Sequence, residues 1–197
     1  VLTSVAPANA VIKPTAVTIG TLPTIQVGVQ SSIPVTITAP YTTTGSDTHT
    51  INAVVTSAPA GSALASLATF GKKANGSTAG DFITDTYATG SNVAARMYFE
   101  LATGQTGHLS AAALASDNKT VGDVFTSDPA TTAPTTAGFK LNFTPDKAGS
   151  YTIMVSTDNT NAVNAYASGD AVTSFTITTG NAVSSVSIAA VGSSAKA

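Results

Sequence analysis

Two short segments carry carboxylate and amide side chains of the kind that bind calcium. Asp117 and Asp123 belong to the first segment, and Asp158, Asn159 and Asn161 belong to the second. Calcium in proteins takes oxygen ligands from Asp and Asn side chains and from backbone carbonyls in loops. Neither segment has the alternating ligands, the central Gly and the closing Glu of a helix-loop-helix calcium site. The sequence therefore suggests calcium as its one cofactor, with these five residues as candidate ligands.

The two histidines are the other side chains that suggest catalysis. His49 or His108 could act as a general base beside a Ser and either Asp47 or Asp123, as in a Ser-His-Asp triad. However, the chain contains no GxSxG, HExxH, P-loop or dinucleotide fingerprint. Glu100 is the only Glu, and most Asp residues, Asp123 among them, stand beside Gly, Asn or Pro, where turns favour them. We therefore predict that the protein is not an enzyme and that both histidines are exposed structural residues.

Composition argues against two classes of partner. The 197-residue chain carries 8 Lys and Arg against 10 Asp and Glu, a net charge of -2, and it has no Trp. It lacks both a basic surface that would neutralise phosphates and a Trp that would stack on bases, so we expect no nucleic-acid binding. The apolar runs are short and interrupted by Thr, Gly and Pro. None approaches the roughly 20 residues that span a bilayer, so we expect no membrane insertion.

Short runs of period-two alternation indicate a β-rich chain. Only 9% of residues are charged and 43% are hydrophobic, so Thr, Ser and Asn must hydrate the exposed strand faces. Thr is also β-branched and suits a pleated strand. Alternation bounded by turn residues is typical of half-buried strands. The runs that predict strands are 16–20, 24–29, 34–39, 49–56, 97–101, 139–143, 151–155 and 171–179.

The segment 143–155, FTPDKAGSYTIMV, resembles the corner between strands E and F of immunoglobulin-like and fibronectin-type modules in bacterial surface proteins. The resemblance implies that Tyr151 is a tyrosine corner, whose hydroxyl bonds to nearby backbone. It also implies that Ile153 takes the place of a core Cys, and that 34–39 and 49–56 resemble strands B and C. Cys and Trp are absent, which excludes an antibody-type domain.

Residues 60–135 fit no simple strand ladder, and a segment of this size is too long for a bare loop. Apolar residues at intervals of three predict a short helix at 63–70, and the Ser110 hydroxyl could cap another at 111–115. We therefore predict an all-β fold, an immunoglobulin-like β-sandwich over 16–180 with a large, partly helical insertion that decorates one edge.

Both ends of the chain, residues 1–15 and 181–197, are rich in Ala, Ser and Val and carry few charges. Val183, Val186 and Ile188 make the second end too apolar for a free tail. Two interpretations stay open for each end. It is a linker with a frayed terminus, or it is a strand that pairs with a neighbouring domain or subunit, because an apolar, uncharged edge favours β-addition.

These features favour a structural protein of the cell surface. We expect an extracellular unit of a surface layer or filament that self-associates, or contacts neighbouring surface-protein domains, through its sandwich edges. A near-neutral chain with few charges has little colloidal repulsion to oppose such contacts. The alternatives are an immunoglobulin-like adhesin, a phage decoration protein and a carbohydrate-binding accessory module. The last needs an aromatic platform, and the chain offers dispersed tyrosines, Tyr41, Tyr87, Tyr98 and Tyr166.

Overall fold

A computed structural model describes residues 10–65, 85–87, 91–93, 97–110, 113–117 and 119–181. These residues form fourteen strands and one short 3-10 helix, Ala63–Ala65. The prediction of an all-β fold is confirmed. The strands, in chain order, are β1 Ala10–Val11, β2 Ala16–Ile19, β3 Ile25–Gln26, β4 Ser31–Thr38, β5 Asp47–Ser57, β6 Asp85–Tyr87, β7 Ser91–Val93, β8 Met97–Leu101, β9 His108–Leu109, β10 Ala113–Leu114, β11 Val121–Thr126, β12 Thr136–Phe143, β13 Gly149–Thr157 and β14 Ala171–Gly180.

Two sheets make up most of the described chain. Sheet A has eight strands in the order β10, β11, β5, β13, β14, β3, with β1 beside β5 and β9 beside β11. Sheet B has four strands in the order β2, β4, β12, β8, and β6 pairs with β7 in a two-stranded sheet. The pairs β1 with β5 and β3 with β14 are parallel, whereas the other pairs are antiparallel. Both sheets are therefore mainly antiparallel.

The two sheets share one hydrophobic core. Alternate residues of β4 are buried because a strand directs successive side chains to opposite faces, and β12 and β13 follow the same rule. The rings of Phe143 in sheet B and Tyr151 in sheet A meet edge to face at 5.3 Å between centroids. Phe125 and Phe139 make a second such contact between the sheets at 5.1 Å. These contacts hold the sheets face to face as in a β-sandwich.

Strands β5 and β11 are buried on both faces over much of their length, unlike β4. The segment that follows β13 covers their outer face. The Asp158 carbonyl first continues the pairing of β13 with β5, since it accepts a hydrogen bond of 3.0 Å from the Thr50 amide. Further along the segment, the side chain of Val163 lies over Gly122 on the outer face. Polar residues such as Asn52 are therefore enclosed inside the fold.

The prediction of a helix at 111–115 is wrong for residues 113–115, the part of that span that the structure describes. Ala113–Leu114 forms β10 and pairs with Val121–Gly122 of β11, and the Ser110 amide donates a hydrogen bond of 3.0 Å to the Val124 carbonyl. Pairing with β11 satisfies the backbone groups that a helix cap would have satisfied, so tertiary context overrides the helix propensity of Ala. Of the helix predicted at 63–70, the structure describes a 3-10 turn over Ala63–Ala65. The rest of that prediction lies outside the described residues.

The prediction that residues 60–135 form a partly helical insertion at one edge is wrong for the residues that the structure describes, because these supply strands to both sheets and their one helical element is the turn Ala63–Ala65. β8 pairs with β12 in sheet B, and β11 pairs with β5 in sheet A. Met97, Phe99 and Phe125 of these strands belong to the core. In the part of the chain that the structure describes, no helix is long and apolar enough to cross a membrane.

Candidate assembly edge

Strand β14 lies near one side of sheet A. One of its edges is paired along almost its whole length, whereas the other is paired only at its end. It pairs with β13 from Ala171 to Thr179. On its other side, β3 pairs with Thr179 and Gly180, and no other described residue pairs there. Residues 171–178 therefore present an open strand edge among the described residues, which we call the β14 edge.

The direction of the free backbone groups follows from one hydrogen bond. The Gly180 carbonyl accepts from the Val27 amide at 3.2 Å, so the backbone groups of Gly180 face away from β13. In an antiparallel ladder, residues two apart direct their N–H and C=O groups to the same side. Val172, Ser174 and Thr176, together with Thr178, therefore direct their backbone donors and acceptors toward the open side.

The side chains along the β14 edge differ between its two faces. Val172, Ser174, Thr176 and Thr178 are exposed on the outer face. On the inner face, Ile177 is buried in the core, whereas Phe175 is only half-buried. β14 contacts β2 across the sandwich, and Ile19 of β2 is also half-buried. Apolar surface is therefore partly uncovered where β14 and β2 meet.

Four other edge strands of the described residues are protected. β2 has four residues and follows Lys13 and Pro14, and β9 and β10 have two residues each. β8 carries the charged residue Glu100. Short strands, charges and prolines are the usual means by which proteins prevent an edge from pairing with another chain. The ten residues of β14 contain neither a charged residue nor a proline.

Hydroxyl contacts and the tyrosine corner hold β14 to β13. The Thr176 and Thr152 hydroxyls lie 3.1 Å apart on the outer face. The Tyr151 hydroxyl accepts a hydrogen bond from the Lys147 amide at 3.0 Å, and the Thr179 hydroxyl donates to the Lys147 carbonyl at 2.9 Å. The predicted bond between the Tyr151 hydroxyl and nearby backbone is therefore confirmed.

Asp146 extends this corner to the segment after β5. Its carboxylate accepts hydrogen bonds from the Ser62 hydroxyl and the Ala63 amide, both at 2.6 Å, and from the Tyr151 hydroxyl at 2.9 Å. Partial burial raises the pKa of Asp146, but these hydrogen bonds outweigh it and hold the pKa below its ordinary value. A charged Asp146 thus joins two turns at one end of the sandwich.

His49 is buried in the core, so the prediction that it is exposed is wrong. Its Nε2 lies 2.7 Å from the Tyr41 hydroxyl, and its Nδ1 lies 3.0 Å from the Thr50 carbonyl and 3.2 Å from the Thr157 hydroxyl. The Phe125 ring packs beside it at 5.4 Å. Burial lowers the pKa of His49 to about 4, so the imidazole is neutral. No Ser or Asp occurs among these partners, and His108 lies half-buried in β9.

The first pair of predicted calcium ligands is divided between a turn and a strand. The Asp117 carboxylate accepts hydrogen bonds from the amides of Lys119 and Thr120, both at 2.9 Å, which closes the turn between β10 and β11. Asp123 is only 2% exposed and lies within β11, so its predicted turn is wrong. Its carboxylate accepts from the Val124 amide at 2.8 Å.

The second group of predicted calcium ligands lies in the segment between β13 and β14. Asp158 and Asn159 line a solvent-open cavity of about 120 Å³ together with Asp170 and Lys13. Asn161 is exposed and is not among the lining residues. The described residues contain no group of three or more His, Cys, Asp or Glu side chains that could hold a metal ion. Calcium binding by these residues stays a prediction.

The tyrosines do not form an exposed platform in the described part of the chain. Tyr41 packs against His49, and the buried Tyr98 donates a hydrogen bond of 2.9 Å from its hydroxyl to Gln30. Tyr166 is 43% exposed, whereas the side chain of Tyr87 lies outside the described residues. Stacking on a sugar would therefore rest on Tyr166 alone among the described side chains.

No protein-family model matches the chain, and no curated protein is significantly similar to it in sequence.

Proposed function

We propose that this chain is a structural, non-enzymatic unit of an extracellular surface layer or filament, and that it self-associates through an edge of its sandwich. The β14 edge is the observation that carries the proposal. It is long and uncharged, and it has unpaired backbone groups and partly uncovered apolar side chains beside it. An edge of this kind is a template for a strand from another chain.

The order of the strands supports an immunoglobulin-like sandwich as the proposed fold. In such domains one sheet has the order A, B, E, D and the other contains C, F, G. The order β2, β4, β12, β8 corresponds to the first sheet, and β5, β13, β14 correspond to the second. The Tyr151 corner lies on β13, the strand that corresponds to F. One departure is that β11, which pairs with β5 in sheet A, comes after β8 of sheet B in the chain.

The charge and surface composition also support association outside the cell. With a net charge of -2 and 9% charged residues, two copies repel each other weakly. Thr and Ser hydroxyls on the outer face of β14 keep that face hydrated without charge. The resemblance of 143–155 to modules of bacterial surface proteins supports the proposed location at the cell surface.

The test is the state of the full-length chain as its concentration rises. Sedimentation and electron microscopy should reveal filaments or sheets that form above a threshold concentration. Because few charges take part, raising the salt concentration should weaken the assembly only slightly. The same samples with added calcium and with a chelator test the calcium prediction separately. A chain that stays monomeric at high concentration in every one of these conditions would overturn the proposal.

A further inference from the structure

Resting on the proposed function, we infer that the segment 182–197 of one copy adds as a strand to the β14 edge of the next copy and so joins the copies head to tail. The donor is a segment of this same chain, and the acceptor is defined by Val172, Ser174, Thr176 and Thr178.

The sequence of the donor segment suits an edge strand. Residues 182–197 contain no Pro and a single charge, Lys196. Within this segment Val186, Ile188 and Ala190 alternate with Ser185, Ser187 and Ala189. A strand with this alternation has one apolar face and one small, mostly hydroxyl-bearing face. The apolar face of the segment matches the partly uncovered surface at Phe175. Its other face matches the Ser and Thr hydroxyls on the outer face of β14.

The length of the donor is sufficient. Sixteen residues follow Asn181, and at about 3.3 Å per residue an extended strand of that length reaches roughly 50 Å. The ten residues of β14 span roughly 33 Å on the same scale. The segment can therefore leave its own sandwich and still cover the whole edge of a neighbour.

The position of β3 makes a neighbouring copy a better acceptor for residues 182–197 than the β14 edge of their own copy. Residues 182–197 continue from the end of β14, where β3 already occupies the edge beside Thr179 and Gly180. A tight hairpin that returned the segment along its own β14 would need those two edge positions. If a neighbouring copy is displaced along the direction of β14, the segment meets the Ala171 end of that copy's β14. The β14 edge is open at this end.

This arrangement fixes the polarity of the added strand. A segment that continues in the direction of β14 enters the next copy at Ala171 and runs parallel to β14, as β3 does at the other end. Donor and acceptor are different surfaces of one chain, so the contact is heterologous. Repetition of a heterologous contact that does not close into a ring produces a filament.

The first pair of variants blocks the acceptor. In Ser174→Pro the proline removes a backbone amide that faces the open side, so no hydrogen bond between β13 and β14 is lost. Edge strands tolerate proline at such positions. The matched control, Ser174→Ala, keeps the amide at the same exposed position. We expect Ser174→Pro to abolish assembly with an unchanged circular dichroism spectrum, and Ser174→Ala to assemble at the wild-type concentration.

The second pair of variants changes the donor segment. Ile188→Lys places a charge on the apolar face of the segment, and Ser187→Lys places the same charge on the opposite face. We expect Ile188→Lys to abolish assembly, whereas Ser187→Lys should retain it with at most a few-fold rise in the threshold concentration.

Mixing the two defective full-length chains gives the decisive measurement. Ser174→Pro retains an intact donor and Ile188→Lys retains an intact acceptor, so an equimolar mixture should form heterodimers that cannot grow further. Each protein alone should be monomeric by sedimentation velocity. If the wild type assembles but Ser174→Pro assembles equally well, or if the mixture stays monomeric, this inference is overturned while the proposed function stands. A wild-type chain that never assembles overturns both.

Discussion

The side chain of Asn52 occupies the space that a β-carbon on Gly122 would need. The two residues are direct partners in the β5 and β11 ladder. A β-carbon at position 122 would collide with Asn52 Oδ1 and would lie 2.7 Å from the Ile51 carbonyl oxygen and 2.8 Å from Val163 Cγ1. Asn52 Oδ1 is buried and has no hydrogen-bond partner among the described residues. The absence of a side chain at Gly122 thus makes room for a buried polar group.

Gly122→Ala should therefore lower the free energy of unfolding by about 1–3 kcal/mol, because the enclosing atoms include backbone that cannot move aside freely. Urea denaturation of the monomeric protein measures the loss. Gly180→Ala is the matched control, since no atom lies within 4 Å of a β-carbon placed there. Equal stability of the two variants would contradict the packing of β5 against β11.

The tyrosine corner gives the second prediction. Tyr151→Phe removes a hydroxyl that bonds to Asp146 and to the backbone of Lys147 while leaving the buried ring in place. The expected loss is about 1–2 kcal/mol in the free energy of unfolding. Tyr166→Phe, at an exposed ring, should change it by less than about 0.5 kcal/mol. An unchanged melting temperature in Tyr151→Phe would show that the corner contributes nothing.

The strands with clean apolar and polar alternation are the ones that local sequence predicts. The strand Met97–Leu101 was predicted at its observed bounds. The predicted runs 139–143 and 151–155 lie within β12 and β13, where large apolar residues stand at every second position. In β11, by contrast, Gly122 and Asp123 interrupt the apolar run. All six of its residues are buried, so no alternation marks it as a strand.

The burial of His49 and the position of the candidate edge could not be predicted from local sequence. His49 is enclosed by Phe125 and Phe139, which lie 76 and 90 positions later in the chain and belong to different sheets. The run 171–179 was predicted as a strand, but whether a strand is open on one side depends on the strand order. β3 pairs only with the last two residues of β14, and no local sequence pattern predicts this arrangement.

His49 gives a prediction about pH. Its pKa is about 4 in the folded protein, against an ordinary value near 6.5. Between these values the unfolded chain binds more protons than the folded one, so stability should fall as the pH drops from about 6.5 to 4. The difference corresponds to about 3 kcal/mol. Urea titrations at several pH values should record this slope in the wild type and a clearly smaller slope in His49→Gln. If the variant retains the full slope, the imidazole is not buried in its neutral form.

Asp146 should produce a separate pH effect at lower pH. Because its folded pKa is below the ordinary value, its stabilising contribution is complete above about pH 4 and is lost as the pH falls through the folded pKa. Ser62→Ala removes the donor of a 2.6 Å hydrogen bond but keeps the carboxylate. We therefore expect the pKa of Asp146, followed by NMR of its carboxyl carbon, to rise in Ser62→Ala toward its ordinary value. Asp146→Asn should remove this part of the acid dependence of unfolding, since no titrating group is left at the corner. A carboxyl pKa that does not move in Ser62→Ala would mean that burial and the remaining donors, not the Ser62 bond, determine the charge at this end of the sandwich.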